Sequence, residues 1–134
     1  MRVFIDTNVI FSAILFPGSI PDKALQKSIS SPYVPITSDY CLEELKRKFS
    51  KKFPHKINAL NNFLSVFILC IHVIKVSENI TEQEERIRDS KDRPVLRGAS
   101  ESNADIIITG DKDLLESGIT KPKSVTPSDF YFEY

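Results

Sequence analysis

Cysteine is scarce in this chain. Its two cysteines, Cys41 and Cys70, have no His or Cys neighbours at ligand spacing, so there is no zinc motif. They read as small buried hydrophobes of a reducing cytosol. The two histidines, His55 and His72, are isolated and suggest no catalytic triad. His72 sits in an apolar run and reads as a packed residue. Four glycines leave no phosphate-cradling loop. Charge of one sign is also missing: 18 Lys and Arg balance 18 Asp and Glu, so no overall field steers the chain to nucleic acid. Any polyanion binding has to come from a local patch or a metal. The longest apolar stretch, "FLSVFILCIHVIKV" over 63–76, falls short of the ~18 residues that mark a bilayer span. Interrupted by Ser65, His72 and Lys75, it reads as a buried helix running into a strand. Met1-Arg2 leads directly into a strand with no signal peptide, which points to a cytoplasmic protein without a membrane partner.

What is present is enough for one domain over 1–134, with an apolar content of 41% to fill a core. Strands are expected at 2–5, 34–36, 72–76 and 105–109, with a weak one near 124–126. Helical patterns lie at 8–16, 21–29, 38–50, 55–71, 93–102 and 112–117. Pro17-Gly18 stops the first and Pro21 starts the second. Leu42, Leu45 and Phe49 share a helix face, as do Ile57, Leu60, Leu64, Phe67 and Ile71. Strands alternating with helices predict an α/β fold with a parallel sheet and helices on both faces. The polar stretch 77–92 reads as the loosest segment.

The chemistry-bearing residues are acids at strand-to-helix junctions. In "VFIDTNVIF" the buried-strand pattern Val3-Phe4-Ile5 is interrupted by Asp6, Thr7 and Asn8. Glu44 lies one to two turns into the helix after the second strand. Asp92 begins the helix after the third, just before Pro94, and Asp111 follows the fourth in "IIITGDKDLL". In a parallel sheet all four fall at one edge, the edge where ligands bind. Four such carboxylates cannot all stay charged without a counter-ion. Oxygen ligands without His or Cys favour Mg²⁺ or Mn²⁺, which suits phosphodiester hydrolysis. Each acid taken alone is open to a plainer role: Asp6, Asn8 or Asp92 as a helix cap, Asp113 with Glu116 as a capping box, Glu44 as a surface residue. The site reading rests on their coincidence.

The segments "FIDTNVIFSAIL", "SDYCLEELKRKF", "DSKDRPVLRGASESNADIIITGDKDLL" and "SVTPSDF" resemble the signature segments of the PIN domain, most of all the VapC-like toxin components of toxin–antitoxin systems. The resemblance implies a three-layer α/β/α sandwich with a mainly parallel sheet. It implies a ribonuclease that uses Mg²⁺ or Mn²⁺, has RNA as substrate and a protein antitoxin as partner, and leaves a homodimer open. By motif, Asp6, Glu44, Asp92 and Asp111 match the catalytic, metal-binding acids. Asp113 matches a frequent additional acid, and Thr7, Asn8 and Thr109 match polar positions that orient them. Asp89 lies three residues before Asp92, and Pro94 selects Asp92 between the two. Arg97-Gly98 stand where the family usually has alanines: Gly98 weakens the helix by about 1 kcal/mol relative to alanine, and Arg97 is placed to crowd or grip substrate. The different-class alternative is a non-catalytic RNA- or protein-binding module. A haloacid-dehalogenase phosphatase needs a second Asp where Asn8 stands, and a receiver domain needs an acidic pair at the first strand.

One basic run, "KRKFSKKFPHK" over 46–56, begins just after Glu44. It is either a solvated helix end whose lysines complement the dipole or a phosphate grip through Arg47, Lys51 and Lys52, with Phe49 or Phe53 free to stack on bases.

Overall fold

Successive residues at 3–5 and 106–108 are apolar and buried, so these strands pack on both faces. In the computed structural model, which describes all 134 residues, five parallel strands form one sheet in the order β3-β2-β1-β4-β5. The strands are β1 (Arg2–Ile5), β2 (Val34–Ser38), β3 (His72–Ile74), β4 (Ile106–Ile108) and β5 (Lys123–Val125). Seven helices connect and cover them: α1 (Thr7–Leu15), α2 (Ile20–Ser28), α3 (Asp39–Lys52), α4 (Ile57–Cys70), α5 (Arg93–Glu101), α6 (Lys112–Leu115) and α7 (Pro127–Glu133).

The sheet is the middle of three layers. Val3, Ile5, Ile106 and Ile108 point to one side, where residues of α1, α2, α3, α4 and α7 complete a core. Phe4, Ile36 and Ile107 point to the other, against α5, α6 and Ile87. This is the predicted α/β/α arrangement, and period-two alternation in buried strands produces it. Registers are tight: Ile5 pairs with Ile108, and Ser38 with Ile74. All five strands therefore end at the same edge.

Several local expectations are corrected. The helix over 57–70 is not buried throughout: Leu60, Leu64 and Phe67 are buried and Ile57 and Phe63 pack at the core's margin, whereas Val66 is 62% and Leu69 84% exposed. His72 and Cys70 are exposed as well, because β3 is an edge strand with little packed over it. The segment 77–92 is not loose. It carries short 3₁₀ turns at Glu82–Arg86 and Ser90–Asp92 and is tied down by side chains of α5. Arg97 does not reach toward substrate: it makes two hydrogen bonds to the Glu84 carboxylate, at 3.2 and 2.6 Å, and one to the Ser77 carbonyl at 2.9 Å. Glu101 accepts from both the N–H and the hydroxyl of Ser77. Gly98 has a packing reason: a Cβ there would lie 3.1 Å from Val76 and 3.4 Å from the Phe4 ring, so any larger residue would press on Val76 where α5 lies close against the sheet. The helix α7 was not expected. Its start is marked by the Thr126 side chain, which accepts the Asp129 N–H at 3.0 Å, with Pro127 in the first turn.

Candidate active site

Asp6 follows the central strand, so the sheet itself fixes its position. Its N–H donates to the Ile108 carbonyl, continuing the β1–β4 ladder for one residue. Both carboxylate oxygens are engaged: Oδ1 accepts the Thr7 N–H at 2.7 Å, and Oδ2 accepts the Thr109 hydroxyl at 2.7 Å. The Thr109 hydroxyl in turn accepts the Asp111 N–H at 3.0 Å. Asn8 Oδ1 accepts the Gly110 N–H at 3.3 Å, joining the first turn of α1 to the loop after β4. The Thr7 hydroxyl donates to the Cys41 carbonyl at the start of α3. A polar lattice thus binds three chain segments around one carboxylate.

Asp6 and Asp111, two of the candidate site residues, are also helix caps. Asp6 caps α1, and Asp111 caps α6 by accepting the Asp113 N–H at 2.8 Å. Asp92 is different. It stands at the N-cap position of α5 but makes no capping hydrogen bond, and Pro94 removes one of the N–H groups it would accept from. Its Oδ2 is buried without any partner.

These residues share a cavity of about 200 Å³, lined by Asp6, Asn8, Glu44, Lys48, Asp89, Lys91, Asp92 and Asp111. Burial raises the Asp6 carboxyl to about 6, against the pull of its Thr109 and Thr7 hydrogen bonds, with help from Glu44 and Asp111. Burial also raises Asp92, to about 8, and the nearness of Asp111, Asp6 and Asp89 adds to it. The metal-free cavity therefore holds a proton near neutral pH, on Asp92. The buried Cys41 thiol is pushed up to about 12 by desolvation and stays protonated, unsuited to nucleophilic chemistry.

Residues 2–113 match the family model of the PIN domain. The chain belongs to the PIN-domain family. It is 33% identical over 144 aligned positions to the uncharacterized protein MJ1680 of Methanocaldococcus jannaschii, an alignment spanning 100% of this chain and 92% of that one. Its fold is similar to VapBC2 of Rickettsia felis, solved bound to a DNA fragment from the promoter, with a TM-score of 0.70, 20% identity, and 94% and 98% of the two chains covered. It is also similar to VapC20 of Mycobacterium tuberculosis, a sarcin–ricin loop cleaving toxin, with a TM-score of 0.63, 17% identity, and 89% and 97% covered.

Within this PIN domain, Asp6, Asn8, Glu44, Asp92 and Asp111 meet in the cavity, and Thr7 and Thr109 buttress Asp6. Asp113 lies outside the lining, where Arg88 grips it through two hydrogen bonds of 3.1 and 3.0 Å. Its carboxylate nevertheless comes within 4.8 Å of those of Asp89 and Asp92, the tightest acidic group in the molecule. Asp89, set aside on sequence, lines the cavity while also accepting the Lys91 N–H at 3.0 Å. Its signal was the D-x-x-D spacing of "DSKD". Lys48 and Lys91 also line the cavity. Lys48 belongs to the basic run over 46–56 and lies one helical turn after Glu44, whereas Lys91 had no cue.

A divalent cation suits this cavity. The orphaned Asp92 oxygen, the all-oxygen donor set and the raised carboxyls are each relieved by one positive charge. Beside it lies a groove of about 370 Å³, lined by Tyr40, Glu44, Arg47, Lys48, Lys51, Lys52 and Lys91. Lys48, Lys91 and Glu44 belong to both. The Tyr40 hydroxyl donates to the Lys91 carbonyl at 2.7 Å and holds the strip between them.

Proposed function

We propose that this PIN-domain protein is a metal-dependent endoribonuclease, the toxin component of a toxin–antitoxin pair. The observation that carries the reading is the cavity itself: five carboxylates from four separate chain segments converge where the parallel strands end, and one carboxylate oxygen there is buried without a partner. Asp6, Glu44, Asp92 and Asp111 would hold Mg²⁺ or Mn²⁺, with Asp113 beside them. Once bound, the metal lowers the pKa of water and offsets charge on the phosphate.

The chain's own groups do the rest. The Thr109 hydroxyl and Thr7 N–H fix the Asp6 carboxylate in one orientation, and Asn8 pins the loop that carries Asp111. Asp92 holds a proton in the metal-free chain and would give it up on loading. Arg47, Lys51 and Lys52 offer positive charge to RNA phosphates. Kinship in fold with a VapBC complex and with a toxin that cleaves the sarcin–ricin loop supports RNA as the substrate and an antitoxin as the partner. No helix is long and apolar enough to cross a membrane.

The test is incubation of single-stranded RNA with the purified protein in Mg²⁺ or Mn²⁺ and in a chelator. Internal cleavage is expected with metal and not with chelator, and Asp6→Asn is expected to lose it while remaining folded. A folded wild-type protein that binds RNA but leaves it intact in either metal would replace this reading with that of a non-catalytic module.

A further inference from the structure

The acidic cavity is not symmetrical in its surroundings. Its lining beyond the residues shared with the groove is Asp6, Asn8, Asp89, Asp92 and Asp111, which offers phosphate no cation. The shared side opens into Arg47, Lys48, Lys51, Lys52 and Lys91. None of these five is in an ion pair: the pairs of the molecule are Arg88–Asp113, Arg97–Glu84 and Lys121–Asp105. In a chain with no net charge, five cations outside any ion pair, of which only Lys48 rests on a ring, that of Phe11 at 5.7 Å, beside five carboxylates amount to charge sorted by position. The sorting follows one helix. Glu44, Arg47, Lys48, Lys51 and Lys52 recur at the three-and-four spacing that makes a single stripe along α3. Lys51 and Lys52 do complement the helix dipole in the last turn, but Arg47 and Lys48 lie a turn too early for that role.

We propose that this stripe binds the RNA strand on one side of the cut only, so that the enzyme's substrate is a strand extending two to three nucleotides beyond the scissile phosphate in that direction. The inference rests on the nuclease reading above and adds a register to it. The cations of the stripe, from Arg47 to Lys52, span about 7.5 Å at 1.5 Å per residue. Phosphates lie about 3.4 Å apart along a stacked strand's axis and further apart in a splayed one, so two to three fit. Lys48 and Lys91, common to both cavities, hold the phosphate next to the reacting one. On the other side the strand meets carboxylates and gains nothing.

The test uses oligoribonucleotides with one cleavable core, lengthened nucleotide by nucleotide at the 5′ or the 3′ end. Cleavage by the wild-type protein is followed in Mn²⁺, and binding to Asp6→Asn by anisotropy at several salt concentrations. Extension at one end is expected to raise kcat/KM about threefold per phosphate, on the scale of an exposed ion pair, and to level off by the third. Extension at the other end leaves kcat/KM flat. In Lys51→Ala/Lys52→Ala the rise with length disappears, and the salt dependence of binding flattens by roughly 0.7 in log–log slope per lost contact. Equal gains at both ends, no gain at either, or an undiminished rise in the lysine variant would overturn the one-sided groove. Absence of cleavage in every oligonucleotide, with length-dependent binding retained at one end, would overturn the nuclease reading and leave the groove standing.

Discussion

Asp92 is the residue at which cap and site part company. It occupies an N-cap position, makes no cap, and keeps one oxygen buried and bare. In the metal-free protein its carboxyl is raised from 3.8 to about 8. Below the lower value the proton is present in folded and unfolded chains alike, and the group is neutral to stability. Between the two values the unfolded chain gives up the proton and the folded chain keeps it, so folding becomes progressively less favourable. Above the upper value the penalty is constant. Asp92→Asn removes it. In chelator, the variant's melting temperature should exceed that of wild type by an amount that grows from pH 4 to pH 8, and added Mn²⁺ should raise wild type far more than the variant. A variant less stable than wild type across that range would make Asp92 a structural residue. The same contrast shows what the sequence could tell at this scale. The meeting of Asp6, Glu44, Asp92 and Asp111 at one cavity was legible because a parallel sheet sends post-strand acids to one edge. The choice between cap and cavity residue was not, since Asp6 and Asp111 each cap a helix and line the cavity. Asp89 was passed over because its exposure to the cavity depends on how the 3₁₀ turn at Ser90–Asp92 aims the chain, which no local pattern encodes.

The element that departs most from its sequence reading is the stretch 77–92. Its polar composition suggested slack, yet it is clasped to α5 by Arg97, Glu84, Ser77 and Glu101, and it delivers Asp89 and Asp92 to the cavity. The pairing was hidden because it joins residues 13 apart with no shared helical face. The Glu84 side chain is 2% exposed and that of Arg97 12%. Burial alone would raise the Glu84 carboxyl, but Arg97 and Thr81 outweigh it and hold it below 4.5. Its stabilising contribution is therefore complete above the ordinary carboxylate range and is lost as pH falls through the folded value. Arg97→Ala leaves Glu84 buried and unpaired, at a cost of about 3 kcal/mol at pH 7 in urea denaturation. That deficit should shrink in acid, where Glu84 is neutral, and amide exchange should quicken over 77–92. A loss under about 0.5 kcal/mol, the scale of an ordinary surface change, would show the clasp to be incidental. The opposite error occurred in α4, read as buried from its apolar content. Period and composition give a helix with one core stripe, Leu60, Leu64 and Phe67, but they do not distinguish Val66 and Leu69 from core residues when the helix lies at the outside of its layer.

Across the whole molecule, alternation of strand and helix made the parallel three-layer fold readable, and the two faces of β1 and β4 divide its cores as that alternation requires. The strand order was not readable, because β4 joins the sheet beside β1 by a crossover that no residue spacing records. What matters for function is the consequence of that order: β1 lies between β2 and β4, so Asp6, the helix α3 with Glu44 and the loop with Asp111 surround one point, and the chain's balanced charge separates there into an acidic cavity and a basic groove. The central claim is that this point holds a divalent metal. Anomalous diffraction from a crystal soaked in Mn²⁺ tests it most directly. The account predicts density inside the cavity, within a ligating distance of about 2 Å of carboxylate oxygens of Asp6 and of Asp92 or Asp111, and none in an Asp6→Asn crystal treated alike. A fully soaked wild-type crystal with an empty cavity, or with manganese only among Asp89, Asp92 and Asp113, would contradict it.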